Sequence, residues 1–404
     1  MSIKNVVILG AGPCGLSTAI ALSKMSALTP GLPPLHVTLI ETRPKLQTIG
    51  GTINMTPLAM RYLDYLGAGQ QLKQNSIELI TGVDAISLRF AWRLGNIWGG
   101  VGARRTARYE LVRSLHDTIK REHSDSVHIE WGKRVTEISE THDQVHLKFE
   151  DETTLECDIL LGCDGINSAA RSMWVEPTRK KEYTGRSVAM GWAEGAASQL
   201  KDEASSPITL PNGQPALRDT AVFSATGGTL ITSYFEPTRQ DIFFAHVRKM
   251  AENDAVNRDG WHLVGEEQEA VKTEVVEAYT NGRVNGIDEV FERCDKWQIY
   301  PIYKLPPQGR WHKGRVLLLG DAAHAVSLLP LNNAWIFSNI QPLIKYSADA
   351  SPRRKHWDRD RRWRSHRTNS QSKRIKVGGA AVLRLRVCST DRHRKALQGC
   401  REIG

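Results

Sequence analysis

The stretch "KNVVILGAGPCGLSTAIALSKM", residues 4–25, constrains the fold more than any other part of the chain. Val6 to Leu9 form an unbroken apolar run that ends in Gly10-Ala11-Gly12-Pro13-Cys14-Gly15. A short run of this kind suits a strand buried on both faces. After the glycines, Leu16, Ile20 and Leu22 to Met25 can share one face of a helix. The loop "SALTPGLPP" (26–34) follows, and "LHVTLIE" (35–41) is a second apolar strand closed by Glu41. Strand, turn, helix and strand make a βαβ unit with a parallel pair at its centre. Gly10, Gly12 and Gly15 match G-x-G-x-x-G in that setting. The glycines permit a tight turn and let a diphosphate approach the backbone, where a helix N-terminus offers unpaired N–H groups and partial positive charge. Glu41 is placed to accept hydrogen bonds from ribose hydroxyls, and the loop at 26–34 accounts for a separation longer than the usual ~20 residues. This motif alone does not separate a nicotinamide from a flavin dinucleotide.

At 404 residues the chain is long enough for two domains, and 40% hydrophobic with 24% charged residues fits a globular protein. A net charge of +10 ordinarily suggests nucleic acid or an acidic membrane as partner. Its location argues otherwise. Residues 341–404 hold 18 Lys and Arg against 5 Asp and Glu, whereas residues 1–340 hold 36 against 39. The basic character belongs to the tail. Within it "RRKHWDRDRRWRSHR" (353–367) has no helical or strand periodicity, so 341–404 reads as an atypical, disordered basic tail. Aromatic platforms are sparse there, and nucleic acid is not expected as a partner. Six cysteines show neither a pairing pattern nor metal-ligand spacing. They read as free thiols of a reducing, cytoplasmic compartment, and no metal is expected. No segment approaches ~20 apolar residues, so no membrane span is expected. Oligomeric state stays open.

Farther along, "ARRTARYELVRSLHDTIKREH" (103–123) reads as an amphipathic helix and 127–151 as short alternating strands. "CDILLGCDGINSAARSMW" (157–174) repeats strand, turn and helix. Alternating segments from about 183 to 298 ("SVAMGWAEG", "GGTLITSYF", "DIFFAHV") suggest a mainly antiparallel sheet, with a helix at Glu266 to Thr280. "GRVLLLGDAAHA" (314–325) returns to the parallel-strand style.

The fingerprint, "TARYELVRSL" (106–115), "DILLGCDG" (158–165) and "LLLGDAAHA" (317–325) together resemble the single-component FAD-dependent monooxygenases of the p-hydroxybenzoate hydroxylase type, in particular their fungal secondary-metabolism branch. The resemblance covers about residues 4–326. It implies an α/β fold: a Rossmann-like, glutathione-reductase-like FAD-binding domain (1–75, 100–182 and 296–340) and an antiparallel substrate domain (76–99 and 183–295). It further implies FAD as cofactor, NADH or NADPH as co-substrate, and O₂ plus a small molecule as partners. An aromatic, polyketide or terpenoid compound would be hydroxylated or epoxidised. The flavin carries the difficult chemistry, and the protein supplies orientation and exclusion of water. Residue by residue, Glu41 would hold the adenosine ribose and Arg43 would lie near the adenine. Gly51, in "IGGTIN", would let the backbone approach the flavin. Arg108 would reach the diphosphate through its fork, with Arg104 and Arg105 as neighbouring competitors. Asp164 and Gly165 would serve FAD and NAD(P)H. Gly320 would make room for Asp321 to bond the ribityl chain, and Ala334 is the nearest equivalent of a flavin-contacting position. Tyr234 is the candidate catalytic side chain, against a core-packing alternative. Gly191 stands where many relatives carry a substrate arginine.

The pattern breaks after Ala325. Relatives continue with a proline and a glycine-rich turn, but here "VSLLPLNNAWIF" places Asn332, Asn333 and Trp335 in that region. A second reading follows: a chain that binds flavin weakly and is catalytically impaired by its altered 327–404 segment, which is either native or the product of a retained intron or shifted frame.

Overall fold

A computed structural model describes residues 3–325, apart from short segments at 30, 32, 49, 80, 85–88, 94–100, 199–205, 211–212, 218, 226–227, 251–260, 263–265, 281–284 and 295–296. Ala334 and the whole segment from 326 onward lie outside the described residues.

The N-terminal reading holds closely. Asn5–Leu9 is a strand, Pro13–Ala27 a helix and His36–Glu41 the next strand, paired parallel to the first from Asn5↔His36 to Leu9↔Ile40. Six strands form this sheet, in the order His312–Lys313, Val316–Leu318, Ile159–Gly162, Asn5–Leu9, His36–Glu41 and Val127–Trp131. All neighbours run parallel except the edge hairpin at 312–318. Val6 to Leu9 are buried because the strand has neighbours on both sides and cover on both faces. Helix Pro13–Ala27 buries Leu16, Ala19, Ile20 and Ser23, and helix Arg108–Glu122 buries Leu111, Val112, Leu115 and Ile119. Both faces follow the three-and-four spacing of a helix and meet in one cluster with Val6 and Ile8. Each fully enclosed Leu or Ile there contributes about 1.5–3 kcal/mol.

One sequence expectation needs correction. The helix expected over 103–123 begins only at Arg108, because Arg104–Ala107 is a strand. It pairs antiparallel with Thr52–Met55, and its outer edge takes Ile77–Glu78. Apolar periodicity does not register this partner, which lies some 50 residues away.

An eight-stranded sheet contains Glu182–Ala193, Thr220–Ala225, Gly228–Ser233, Ile242–Lys249 and Gln298–Lys304 among its members, mostly antiparallel. Ala189, Ala193, Leu230 and Phe244 pack beneath Val271, Val275 and Tyr279 of helix Glu266–Thr280, the helix that the sequence placed at those bounds. Gly191 belongs to this covered face. A Cβ there would meet Cys294 Sγ at 2.5 Å and Phe244 Cζ at 2.6 Å, so the position has no room for an arginine.

His246 is fully buried on the same face, edge-on to Tyr279 at 5.6 Å, and neither ring nitrogen has a hydrogen-bond partner. Burial, with help from Arg248, pushes its pKa down to about 4. An unfolded histidine titrates near ~6.5. Between those values the unfolded chain binds a proton that the folded chain refuses, so stability present above pH 6.5 falls as the pH drops towards 4. The slope from this one group approaches ~1.4 kcal/mol per pH unit. His246→Leu should flatten urea-derived stability against pH in that window. An unchanged slope would assign the acid sensitivity to other groups.

Candidate functional site

The turn at 10–15 is held from three directions. Gly10 adopts φ +97°, and a Cβ on it would lie 2.7 Å from the Cys163 carbonyl oxygen. A Cβ on Gly15 would lie 1.9 Å from the Gly10 carbonyl oxygen. Glu41 braces the turn: its Oε2 accepts the Ala11 N–H at 2.9 Å and its Oε1 the Arg43 N–H at 3.0 Å. Its carboxylate is buried, with Arg43 Nη1 at 3.9 Å. Sequence spacing pointed to Glu41 as a ribose ligand, and the structure adds this brace.

Gly12 differs from its neighbours. Its backbone is extended, at φ −79° and ψ −176°, and a Cβ on it would meet nothing within 4 Å. Gly12 caps the following helix without a side-chain hydrogen bond, Pro13 occupies the first turn, and that turn carries no acidic residue. Uncapped N–H groups with open space in front of them suit an anion.

Gly10, Glu41 and Asp164 share a cleft of about 420 Å³ with Thr42, Arg134 and Asn167. It opens at the carboxyl ends of three parallel strands, where open α/β sheets take ligands. Asp164 Oδ2 accepts the Ala169 N–H at 2.6 Å and the Ala170 N–H at 3.3 Å, while Oδ1 is enclosed without a hydrogen bond. Burial raises its pKa, and hydrogen bonds from Ser168 and those N–H groups oppose the rise. Gly165 adopts φ +75° with nothing near its Cβ position.

Arg108 is held beside Gly50 and Gly51. Its N–H donates to the Gly51 carbonyl at 2.9 Å, and its Cδ lies 3.5 Å from the Cβ position of Gly50. Its Nε is buried without a partner. Burial lowers its pKa, attraction to Asp321 opposes that, and repulsion from Arg43 adds to it. Arg104 and Arg105 face elsewhere: Arg104 bonds Ser76 and the Lys73 carbonyl, and Arg105 bonds Asn54 and Thr220. Gly320 (φ +56°, ψ −139°) stands against the fingerprint turn, its Cβ position 3.0 Å from Cys14 Sγ. Asp321 is the first residue of helix Asp321–His324 and is exposed. His324 stacks on Trp311 at 5.2 Å. The Cys14 thiol is lowered by its hydrogen bond with Cys163, whose own thiol is raised by that bond and by burial.

Two placements differ from expectation. Gly51 is crowded by protein, because a Cβ there would lie 2.0 Å from Phe243 Cε2. Packing alone demands glycine at this position. Tyr234 lies in the core with Leu230 and Phe244, 3% exposed, and burial pushes its phenol up to about 12. That setting supports the core-packing alternative.

Sequence reading also missed Arg171 and Arg179. Arg171 Nη1 donates to the Ala322 carbonyl at 2.9 Å, and Arg179 Nη1 to the Ala323 carbonyl at 2.9 Å. Both guanidiniums cap the short helix that carries Asp321, at the end where cations are favoured. Their signal, two arginines in a polar stretch after "GCDG", carries no recognisable spacing.

A family model described as FAD binding domain matches residues 4–329. The chain belongs to this family. A salicylate hydroxylase of Pseudomonas putida is 27% identical over 337 residues, covering 80% of this chain and 71% of that protein. The FAD-dependent monooxygenase pigN of Monascus ruber is 25% identical over 341 residues, again 80% and 71%. Among solved structures, Klebsiella pneumoniae HpxO complexed with FAD and uric acid superposes with a TM-score of 0.59 at 21% identity, covering 85% of this chain and 79% of that one. Family and relatives identify an FAD-dependent monooxygenase, and the α/β fold with a parallel-containing sheet and antiparallel sheets is the one expected. The chain's residues fit FAD: an open cradle at Gly12, a cleft beside Glu41 and an orphaned guanidinium nitrogen on Arg108. Among the described residues, no cluster could hold a metal ion, and no helix is long and apolar enough to cross a membrane.

The glycines should therefore separate in experiment. Gly15→Ala forces a side chain into backbone and should lower the melting temperature of flavin-free protein. Gly12→Val should leave that melting temperature nearly unchanged while removing FAD binding in fluorescence titration. Full flavin occupancy in Gly12→Val would show that the cradle has been misassigned.

Proposed function

We propose that the enzyme uses NADH or NADPH and O₂ to hydroxylate or epoxidise an aromatic, polyketide or terpenoid small molecule, in secondary metabolite biosynthesis. The observation that carries this reading is the convergence of Gly12, Glu41, Arg108, Asp164 and Asp321 around the fingerprint turn. When bound, FAD supplies electron transfer from the nicotinamide and the transfer of one oxygen atom.

The residues supply its setting. The helix N-terminus at Gly12 and the Arg108 guanidinium receive the diphosphate; a planar fork suits two phosphate oxygens better than an ammonium does. Glu41 retains lone pairs for ribose hydroxyls while holding Ala11, and Arg43 stands beside it. Gly320 adopts φ +56° just before Asp321, whose exposed carboxylate would bond a ribityl hydroxyl. Asp164 borders the cleft, and Asp164 and Gly165 are assigned to FAD and NAD(P)H. The cofactor domain would span 1–75, 100–182 and 296–340, and the substrate domain 76–99 and 183–295.

The reading of an impaired flavin binder is not favoured. The family match extends to residue 329, and the relatives are named a salicylate hydroxylase and an FAD-dependent monooxygenase. The test is the absorption spectrum of the purified full chain, followed by NADH and NADPH oxidation with aromatic compounds. A flavin spectrum with substrate-dependent oxidation is expected. Flavin without stimulated oxidation would restore the impaired reading, and its Glu41→Ala variant should lose about 1–3 kcal/mol of FAD affinity in either case.

A further inference from the structure

Cys14 and Cys163 meet at the fingerprint turn. Cys14 lies in the first turn of helix Pro13–Ala27, and Cys163 follows the strand Ile159–Gly162. That strand pairs parallel with Asn5–Leu9, and the Cys163 N–H donates to the Leu9 carbonyl at 2.9 Å. Cys163 is thereby set beside Gly10, whose Cβ position is 2.7 Å from the Cys163 carbonyl oxygen. Both residues are free thiols packed in one cluster, within hydrogen-bonding reach of each other. Thr18, one helical turn after Cys14, reaches both sulfurs. Its hydroxyl is held there by donating to the Cys14 carbonyl at 2.8 Å. Cys14 Sγ also lies 3.0 Å from the Cβ position of Gly320. One sulfur thus touches three of the chain segments that build the cofactor site.

The two thiols are unequal. Cys163 is buried at 6% exposure, whereas Cys14 is half-buried. The hydrogen bond with Cys163 holds the Cys14 thiol below its ordinary range, and Thr18 adds to this against burial and the Asp321 charge. The same bond and burial raise Cys163. The thiolate is the form that attacks an oxidant, and a helix N-terminus favours it, so Cys14 reacts first and Cys163 second.

We infer that Cys14 and Cys163 form an oxidation site, at which hydrogen peroxide converts the thiol pair to a disulfide and the chain loses affinity for FAD. The Cys14 thiolate attacks one peroxide oxygen. An S–O bond forms, the O–O bond breaks, and the other oxygen leaves as water with the proton that Cys14 has lost. The Cys163 sulfur then attacks the Cys14 sulfur. An S–S bond forms, the S–O bond breaks, and hydroxide leaves with the Cys163 proton as a second water. Two electrons pass from the thiol pair to the peroxide. Bond formation draws the sulfurs from hydrogen-bonding to covalent distance. Cys163 is anchored in the sheet, so Cys14 moves, and with it the first turn of its helix. The N–H groups of that turn carry no side-chain cap and are the ones offered to the FAD diphosphate. The inference rests on that assignment of the turn.

For the test, the full chain is treated with peroxide, alkylated, digested without reductant and mapped by mass spectrometry. Peptides joined through Cys14 and Cys163, and released by dithiothreitol, are expected. Fluorescence titration should find FAD bound about tenfold more weakly or worse by the oxidised chain, with recovery in dithiothreitol. Reciprocity requires saturating FAD to oppose the disulfide by the same factor. In glutathione buffers a tenfold effect raises the reduction potential of the pair by about 30 mV. Cys14→Ala should keep its FAD affinity after peroxide, and Cys163→Ala should accumulate a Cys14 sulfenic acid that dimedone traps. The inference is overturned by absence of the joined peptides, by joining through other cysteines alone, by unchanged FAD affinity in the joined chain, or by absence of the dimedone adduct. The diphosphate assignment fails separately, through full flavin occupancy in Gly12→Val.

Discussion

Backbone approaches backbone at residues 10–15 so closely that no side chain fits between. The Gly10 carbonyl occupies the space where a Cβ on Gly15 would go, and the Cys163 carbonyl crowds Gly10 in the same way. These contacts bring the first strand, its helix and the strand ending at Gly162 to one point. Glu41 then ties the second parallel strand to that point through the Ala11 N–H. Three strand ends converge, and the cleft exists because they do. Gly12 alone in this turn keeps its Cβ position empty, so it serves recognition while Gly10 and Gly15 serve construction.

The remaining walls are anchored by arginines that reach across long stretches of chain. Arg171 and Arg179 hold the carbonyls of helix Asp321–His324, which sets Asp321 above the turn. Arg108 lies under Gly50 and is tied to Gly51 through its backbone. Arg105 joins the short ribbon at 104–107 to the eight-stranded sheet. Backbone carbonyls accept most of the hydrogen bonds of Arg105, Arg171 and Arg179, which offsets much of the cost of burying them, while Nε of Arg108 and of Arg171 stays unpaired.

The eight-stranded sheet divides its two faces by residue size. On the covered face small residues, Ala189, Gly191 and Ala193, admit the rings of Phe244, Phe291 and Trp297, which pack within 4.6–5.6 Å of one another. On the other face Trp192 and Phe243 remain to meet Gly51. A one-residue shift of the strand Glu182–Ala193 would exchange these faces.

The sequence by itself determined the βαβ unit, the fingerprint, Glu41 as the acid closing the second strand, and the helix at Glu266–Thr280. Each is a local pattern, set by periodicity or by spacing within some 30 residues. The resemblance carried by "TARYELVRSL" also pointed to Arg108 over its neighbours. Only the tertiary structure decided that Arg104–Ala107 is a strand, since its partner lies far away in the chain. Only packing decided that Tyr234 is core, that Phe243 crowds Gly51, and that Gly191 excludes an arginine. The roles of Arg171, Arg179 and Arg105 likewise come from contacts across more than 100 residues. An arginine in sequence carries the same charge whether it faces water or a buried carbonyl, and only the fold distinguishes the two.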